Sequence, residues 1–366
     1  MLFIIPISLL QTFCNRDNIL NISISMPHLG WQTFFQQQLT LAELESSQCA
    51  RIIAHHRSVY VLQLENRQFQ LPITINMPAM TVGDWLLLTD DYQFIRLLER
   101  KSLLKRKSAG SKVDEQLIAV NIDVLFIVSS LNQDFNLNRI ERYLAIANEA
   151  TIEPVVVLTK SDLTDNWQAL KAQLQSLDPF LPVEVVNSLD ADSVDALKPW
   201  CKQGSSVSFI GSSGVGKSTL VNTLLGKQAQ VTSHIREDDD KGRHTTTARS
   251  VHFMPSGGVL IDTPGMRELQ LVECNDGVDK TFADISQLAE QCRFSNCQHS
   301  NEPDCAILQA LEVGVIDKRR LNNYFKLQAE QARNSASMQV KRAKDKALSK
   351  MYRNVQTSAR LSKKGY

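Results

Sequence analysis

The residues best suited to chemistry lie in one run, GSSGVGKST, at 211–219. It fits G-x-x-x-x-G-K-[ST] with Gly211, Gly216, Lys217 and Ser218. That pattern cradles phosphate when it joins a strand to a helix, and a strand over 207–210 and a helix over 219–225 are expected here. Backbone N–H groups from Gly211 through Ser212, Ser213, Gly214, Val215 and Gly216 can turn inward around a phosphate. The helix entered at Thr219 presents its positive end to the same group. Lys217 would bridge the two outer phosphates, and the Ser218 hydroxyl would ligate Mg²⁺, a hard cation that prefers oxygen. A plain Gly/Ser turn with a solvated lysine is the bland alternative, and the strand–loop–helix context argues against it.

Two further motifs complete a nucleotide site. DTPG at 262–265 follows the apolar run GVLI. Asp262 can hold Mg²⁺ through water at a strand end, and the Gly265 N–H can sense a γ-phosphate. TKSD at 159–162 ends another apolar run. Asp162 can accept from both guanine N1–H and the 2-amino group, a donor pair that adenine lacks. Lys160 can lay its stem along the base, and Thr159 and Ser161 complete the motif. Asn187-Ser188 closes a later strand where a backbone N–H can meet the guanine oxygen. The polar segment 231–250, with Gly242 and three consecutive threonines, reads as a mobile loop or as an unstructured acidic one. Thr246, with Thr247 next, is the candidate to complete the Mg²⁺ shell. The base-reading motif precedes the phosphate loop, which precedes DTPG. In the usual GTPase it comes last, so the order is circularly permuted, which a domain with neighbouring termini tolerates.

Downstream, Cys292, Cys297, His299 and Cys305 fall within fourteen residues. Three thiolates and an imidazole fill a tetrahedral Zn²⁺ shell with no open position, so the site would be structural. Free cysteines in a small core are the alternative. The other cysteines, at 14, 49, 201 and 274, are scattered, which excludes a disulfide scaffold.

These motifs need elements to carry them. Residues 40–98 alternate apolar and polar types, and a small barrel of short strands is expected. The basic stretch 96–112 reads as a linker, either touching phosphates or simply solvated. From 119 onward, AVNIDVLFIVSS reads as one buried strand, followed by helix and strand in alternation. A helix is expected over 163–177, and the whole implies a parallel sheet covered on both faces. In 366 residues, 43% are apolar and 22% charged, which excludes a disordered or collagen-like chain. The net charge of +1 conceals an asymmetry, because residues 331–366 hold ten Lys/Arg and one acid. Such a tail suits a polyanion such as nucleic acid, or is a solvated helix face. The opening MLFIIPISLL is too short to span a bilayer. Its first basic residue, Arg16, follows the apolar run, unlike a signal peptide. Residues 1–25 are taken as an extension, a start-site artefact or disordered, with Met26 the more natural beginning.

Together, TKSD before GSSGVGKST, then GRHTTT, DTPG and the Cys-Cys-His-Cys element ahead of a basic tail, resemble the bacterial small-ribosomal-subunit biogenesis GTPases of the RsgA type. The similarity covers about Met26 to the C-terminus. It implies a multidomain protein: an OB-type β-barrel (26–105), a circularly permuted α/β P-loop GTPase domain (106–272) and a zinc-binding helical domain with a basic tail (273–366). It implies GTP hydrolysis stimulated by the 30S subunit, late in the maturation of that subunit. The expected partners are GTP, the 30S subunit and 16S rRNA, with no membrane, in a cytoplasmic monomer. The expected cofactors are Mg²⁺ with GTP and one structural Zn²⁺. The family's base-reading motif begins with Asn where this chain has Thr159, which predicts lower nucleotide affinity. Met266 occupies the position at which small GTPases place a water-orienting Gln. The resemblance suggests that His244 supplies that polar group, giving a catalytic set of His244, Lys217 and Thr246. An RNA-binding module with a vestigial nucleotide site and an ATP-using P-loop enzyme are the competing functions; intact Lys217, Ser218 and Asp262 oppose the first, Asp162 the second.

Overall fold

The computed structural model describes residues 24–65, 67–107, 115–226, 249–262 and 274–334. The chain enters through a 3-10 turn at Met26–Leu29 and two short helices, α1 (Thr33–Gln36) and α2 (Leu41–Ser46). Thr40 and Glu43 start α2 with a reciprocal cap: each backbone N–H donates to the other's side chain, at 2.8 and 3.2 Å.

Five antiparallel strands follow: β1 (Ser47–His55), β2 (Val59–Gln63), β3 (Gln68–Pro72), β4 (Trp85–Thr89) and β5 (Phe94–Leu97). Their alternation puts Ala50, Ile52, Leu62, Leu71, Leu86 and Leu88 into one apolar core. They pair in the order β3-β2-β1-β4-β5, and among the described residues no ladder joins β3 to β5.

Strands β6 (Leu103–Lys107) and β7 (Glu115–Val120) form a separate antiparallel pair. Part of the basic stretch expected as a linker is therefore strand. Leu104 is buried in the same core as Ile118, so apolar burial rather than charge decides its conformation. The run expected as one strand over 119–130 is two, because Asn121 adopts φ of 56° between β7 and β8 (Val124–Ser130). Asn tolerates that left-handed conformation. Its amide is held on both sides: Nδ2 donates to the Gly83 carbonyl at 3.0 Å, and Oδ1 accepts from the Lys101 N–H at 2.8 Å.

The chain then alternates: α3 (Leu137–Glu149), β9 (Glu153–Thr159), α4 (Trp167–Gln175), β10 (Val183–Val185), α5 (Ala191–Val194), β11 (Ser206–Ile210), α6 (Lys217–Leu225), β12 (Arg249–Phe253) and β13 (Val259–Asp262). The helix expected over 163–177 begins only at Trp167, after a 3-10 turn at Ser161–Leu163. Every residue of β8 and β11 is buried, as parallel strands covered on both faces require. The order is β10-β9-β8-β11-β13-β12-β1-β2-β3, so the two strand systems form one mixed sheet. The junction is short: Ala54 pairs with Ser250, and His55 with Arg249.

Helices α7 (Asn275–Thr281), α8 (Ala283–Glu290), α9 (Ala306–Glu312) and α10 (318–334) complete the described chain. Their Ile285, Ile307, Tyr324 and Leu327 belong to the same apolar core as Ile127 and Val156 of the sheet. Gly277 lets α7 approach α3 closely, since a Cβ there would lie 2.1 Å from the Ala145 carbonyl oxygen. No helix among the described residues is long and apolar enough to cross a membrane.

Candidate nucleotide site and cysteine–histidine cluster

The carboxyl ends of β9, β11 and β13 carry the three motifs, and parallel pairing through β8 puts those ends on one edge of the sheet. Open α/β sheets bind ligands at this edge. The loop after β11 is shaped by backbone that only glycine accepts without strain. Gly211 has φ of 154°, and a Cβ there would meet the Val128 carbonyl oxygen at 2.3 Å. Gly216 has φ of 94° and is the residue from which α6 starts. Lys217 bends back over the loop, donating from Nζ to the Gly211 carbonyl at 2.7 Å and to the Ser212 carbonyl. Ser218 and Thr219 follow in the first turn of α6.

Thr159 joins the base-reading motif to this loop. Its side chain is buried, and its hydroxyl donates to the Val215 carbonyl at 2.6 Å. The one proton of the hydroxyl is thus committed to the loop rather than pointed at a ligand. Lys160 takes a left-handed conformation, φ of 60°, and Asp162 is exposed in the 3-10 turn beyond it. The Ser161 N–H reaches the Val186 carbonyl at 3.4 Å, tying the motif to the chain leaving β10. Ser188, just beyond, is buried, and its hydroxyl lies 3.2 Å from where a Gly216 Cβ would be. Asp262 ends β13 opposite Ser250. Gly265, Met266, His244, Thr246, Thr247 and the basic tail beyond 334 lie outside the described residues.

Two polar residues that sequence reasoning missed flank the loop. Ser212 donates to Asp134 Oδ2 at 2.6 Å and accepts from Arg139 Nη1 at 2.8 Å. The available signal was their place: both follow β8, a buried strand ending at the same sheet edge. Glu141 was missed too. It is fully buried on α3, where it takes Arg319 and Arg320 from α10. A carboxylate amid the apolar residues of α3, with two consecutive arginines downstream, was the clue.

The donor atoms of Cys292, Cys297, His299 and Cys305 all lie within 4.8 Å of one another. Cys292 and Cys305 sulfurs are 3.8 Å apart, and each lies 3.5 Å from His299 Nδ1. Tetrahedral coordination with metal–sulfur bonds of about 2.3 Å has sulfur–sulfur edges of about 3.8 Å. A disulfide needs about 2.05 Å, so the spacing fits a metal shell and not a bridge. Burial opposes ionisation of Cys292, but the amides of Ala306 and Ile307 together with the thiols of Cys305 and Cys297 hold it below the usual range. Burial pushes the Cys297 thiol up to about 11. The connecting loop is shaped by Glu302, whose carboxylate accepts from the N–H groups of Gln298 and Ser300 at 2.9 Å and of Asn301 at 3.1 Å. Those amides hold its acid at about 2. The His299 ring stacks on Phe325 of α10, with centroids 6.1 Å apart.

The model of the RsgA GTPase family matches residues 97–272. A relative from Vibrio parahaemolyticus named "Small ribosomal subunit biogenesis GTPase RsgA 2" is 56% identical over 97% of this chain and 99% of its own. The solved structure of YjeQ from Thermotoga maritima shares the fold at a TM-score of 0.59 and 24% identity, covering 78% of this chain and 98% of that one. A second solved structure, titled "The crystal structure of YloQ, a circularly permuted GTPase", aligns at a TM-score of 0.56 and 22% identity, over 78% of this chain and 94% of that one.

Proposed function

This chain belongs to the RsgA GTPase family, and on that premise we propose that it hydrolyses GTP in the biogenesis of the small ribosomal subunit. One observation carries the site: the hydroxyl of Thr159, at the head of the base-reading motif, donates to Val215 inside the phosphate loop. Base recognition and phosphate binding thereby fall on one nucleotide, although the first lies upstream in the chain.

The amides of residues 211–216 line the phosphates, and Lys217 leaves its two carbonyl partners to bridge the outer pair. Asp162 selects guanine through its two carboxylate oxygens. Lys160 packs along the base, with Ser161 beside it. Thr159 acts by bracing the loop. Ser218 and Asp262 are hard oxygen donors of the kind Mg²⁺ prefers, and with Thr246 they would hold it, where it supplies positive charge to the phosphates. His244 orients the attacking water when the subunit engages, so turnover by the free enzyme should be slow. Cys292, Cys297, His299 and Cys305 hold one structural Zn²⁺. The N-terminal strands, as an OB-type barrel, and the basic tail grip 16S rRNA in the cytoplasm, and hydrolysis releases the protein from the 30S subunit.

The test is GTP turnover by the full chain with and without purified 30S subunits, with ATP as competitor. Stimulated GTP hydrolysis that ATP does not compete away, and that Lys217→Ala abolishes, is expected. RNA binding with no turnover in either condition would leave the nucleotide site vestigial.

A further inference from the structure

The C-terminal helices reach the phosphate loop through the first two turns of α3. At the loop, Asp134 and Arg139 pair at 2.6 Å and share Ser212 between them, at 2.6 and 2.8 Å. The Ser212 carbonyl is in turn one of the two that hold Lys217. Two residues along the helix from Arg139, Glu141 is fully buried. It accepts from Arg319 at 2.9 and 3.0 Å, from Arg320 at 2.9 Å and from Asn323 at 2.5 Å. Arg319 also donates to Asn138 Oδ1 at 2.6 Å. The start of α10 therefore grips the same turn of α3 whose Arg139 grips the loop.

A helical turn is a stiff unit, closed by its own i to i+4 hydrogen bonds. A displacement imposed at Asn138 and Glu141 is carried to Arg139 rather than absorbed between them. The grip at Glu141 is also hard to loosen gradually, because a buried carboxylate needs all of its partners. Transmission between sites needs an element with two arrangements, which for this grip would be engaged and released.

We propose that Arg139, together with Asp134, is a positioning residue of the phosphate loop, and that α10 sets its position through Glu141. A partner that docks on the C-terminal helices then acts on Ser212 and Lys217 without touching the nucleotide. The proposal rests on reading 211–219 as the GTP loop. It differs from simple structural glue in one respect: the ion pair of Arg96 on β5 with Glu43 on α2, at 2.9 Å, makes no use of α3 and should not affect the nucleotide.

The experiment compares the full-length wild type with Arg139→Gln, Arg139→Lys, Arg319→Gln and Glu43→Gln. It measures release of a fluorescent GDP analogue, KM and kcat for GTP, and the thermal midpoint. Arg139→Gln should speed release about tenfold, the size expected for a lost charge-assisted hydrogen bond. Arg139→Lys should recover most of that, because a single nitrogen, Nη1, makes both contacts. Arg319→Gln should speed release about threefold. Glu43→Gln should lower the thermal midpoint as Arg319→Gln does, yet release GDP at the wild-type rate. Unchanged release in Arg139→Gln overturns the proposal, as does equal release from Arg319→Gln and Glu43→Gln. A wild type that binds no GDP analogue instead overturns the nucleotide site itself.

Discussion

The two flanks of the nucleotide-binding sheet are fastened by different physics. On the N-terminal side part of the fastening is backbone: β1 continues the sheet through β12 over two residue pairs. Beside that ladder, Arg51 is fully buried, donating to the Leu29 carbonyl and to the Ser206 hydroxyl at 2.9 Å, and Asp123 accepts from the Ser206 N–H at 2.8 Å. On the C-terminal side the fastening is side chain on side chain, with Glu141 and Arg320 buried above a shared apolar core. A ladder tolerates changes of side chain one at a time. A buried charge cluster does not, because removing one member strands the others. The N-terminal flank thus keeps a backbone fastening that side-chain changes leave in place, whereas the C-terminal flank depends on its charge cluster.

The sharpest way to break this contrast is to disturb the cysteine–histidine cluster. Cys305→Ser, or prolonged chelation, should unfold α8, α9 and the start of α10 while β1–β5 stay protected. Structural zinc supplies about 10 kcal/mol or more to small metal-bound folds, so the loss should be complete. Hydrogen exchange resolved along the chain would show it, and equal loss of protection on both flanks would refute the independence claimed here.

Next in size is Glu141→Ala. It leaves Arg319 and Arg320 without their shared carboxylate and should cost about 3–5 kcal/mol, read from denaturant unfolding. Arg51→Met should cost less, about 1–3 kcal/mol, because the backbone ladder survives and the three acceptors that lose their donor, on Leu29, Asn121 and Ser206, are uncharged. A larger loss at Arg51 than at Glu141 would reverse the comparison.

The smallest effect concerns one carboxylate on each flank. Arg96, followed by the Thr40 N–H, holds the acid of Glu43 at about 2, against an ordinary 4.5. Backbone amides hold Glu302 equally low. In both cases the folded state binds its proton less readily than the unfolded chain. The stabilisation is therefore full above about 4.5 and fades as the pH falls toward 2. Salt should distinguish them: the Glu43 contribution weakens as its ion pair is screened, and that of Glu302 persists. Carboxyl titrations by NMR at low and high salt would check it.

Much of the site was legible because its chemistry is local. Glycine spacing at 211–216 announces backbone that other residues resist, and three cysteines and a histidine within fourteen residues announce the cluster whose donor atoms the fold gathers within 4.8 Å. The apolar runs at 124–130 and 153–159 read correctly as buried parallel strands. Legibility failed where a neighbour far along the chain decides. Asn121 breaks an apolar run because Gly83 and Lys101 satisfy its amide. The basic 103–107 becomes strand because residues 115–120 pair with it. Thr159 is legible as the head of the base-reading motif, but its bond to Val215, 56 residues on, is not.

What the amino-acid order determined alone is the local conformation and donor chemistry of each motif, because steric limits on φ and the identity of ligand atoms act within a few bonds. What only the folded chain decided is which motifs meet. Thr159 finds Val215 across 56 residues, Arg139 finds Ser212 across 73, and Arg319 finds Glu141 across 178. Those pairings follow from burial of a common core, a free energy summed over the whole surface removed from water, which no short stretch of residues contains.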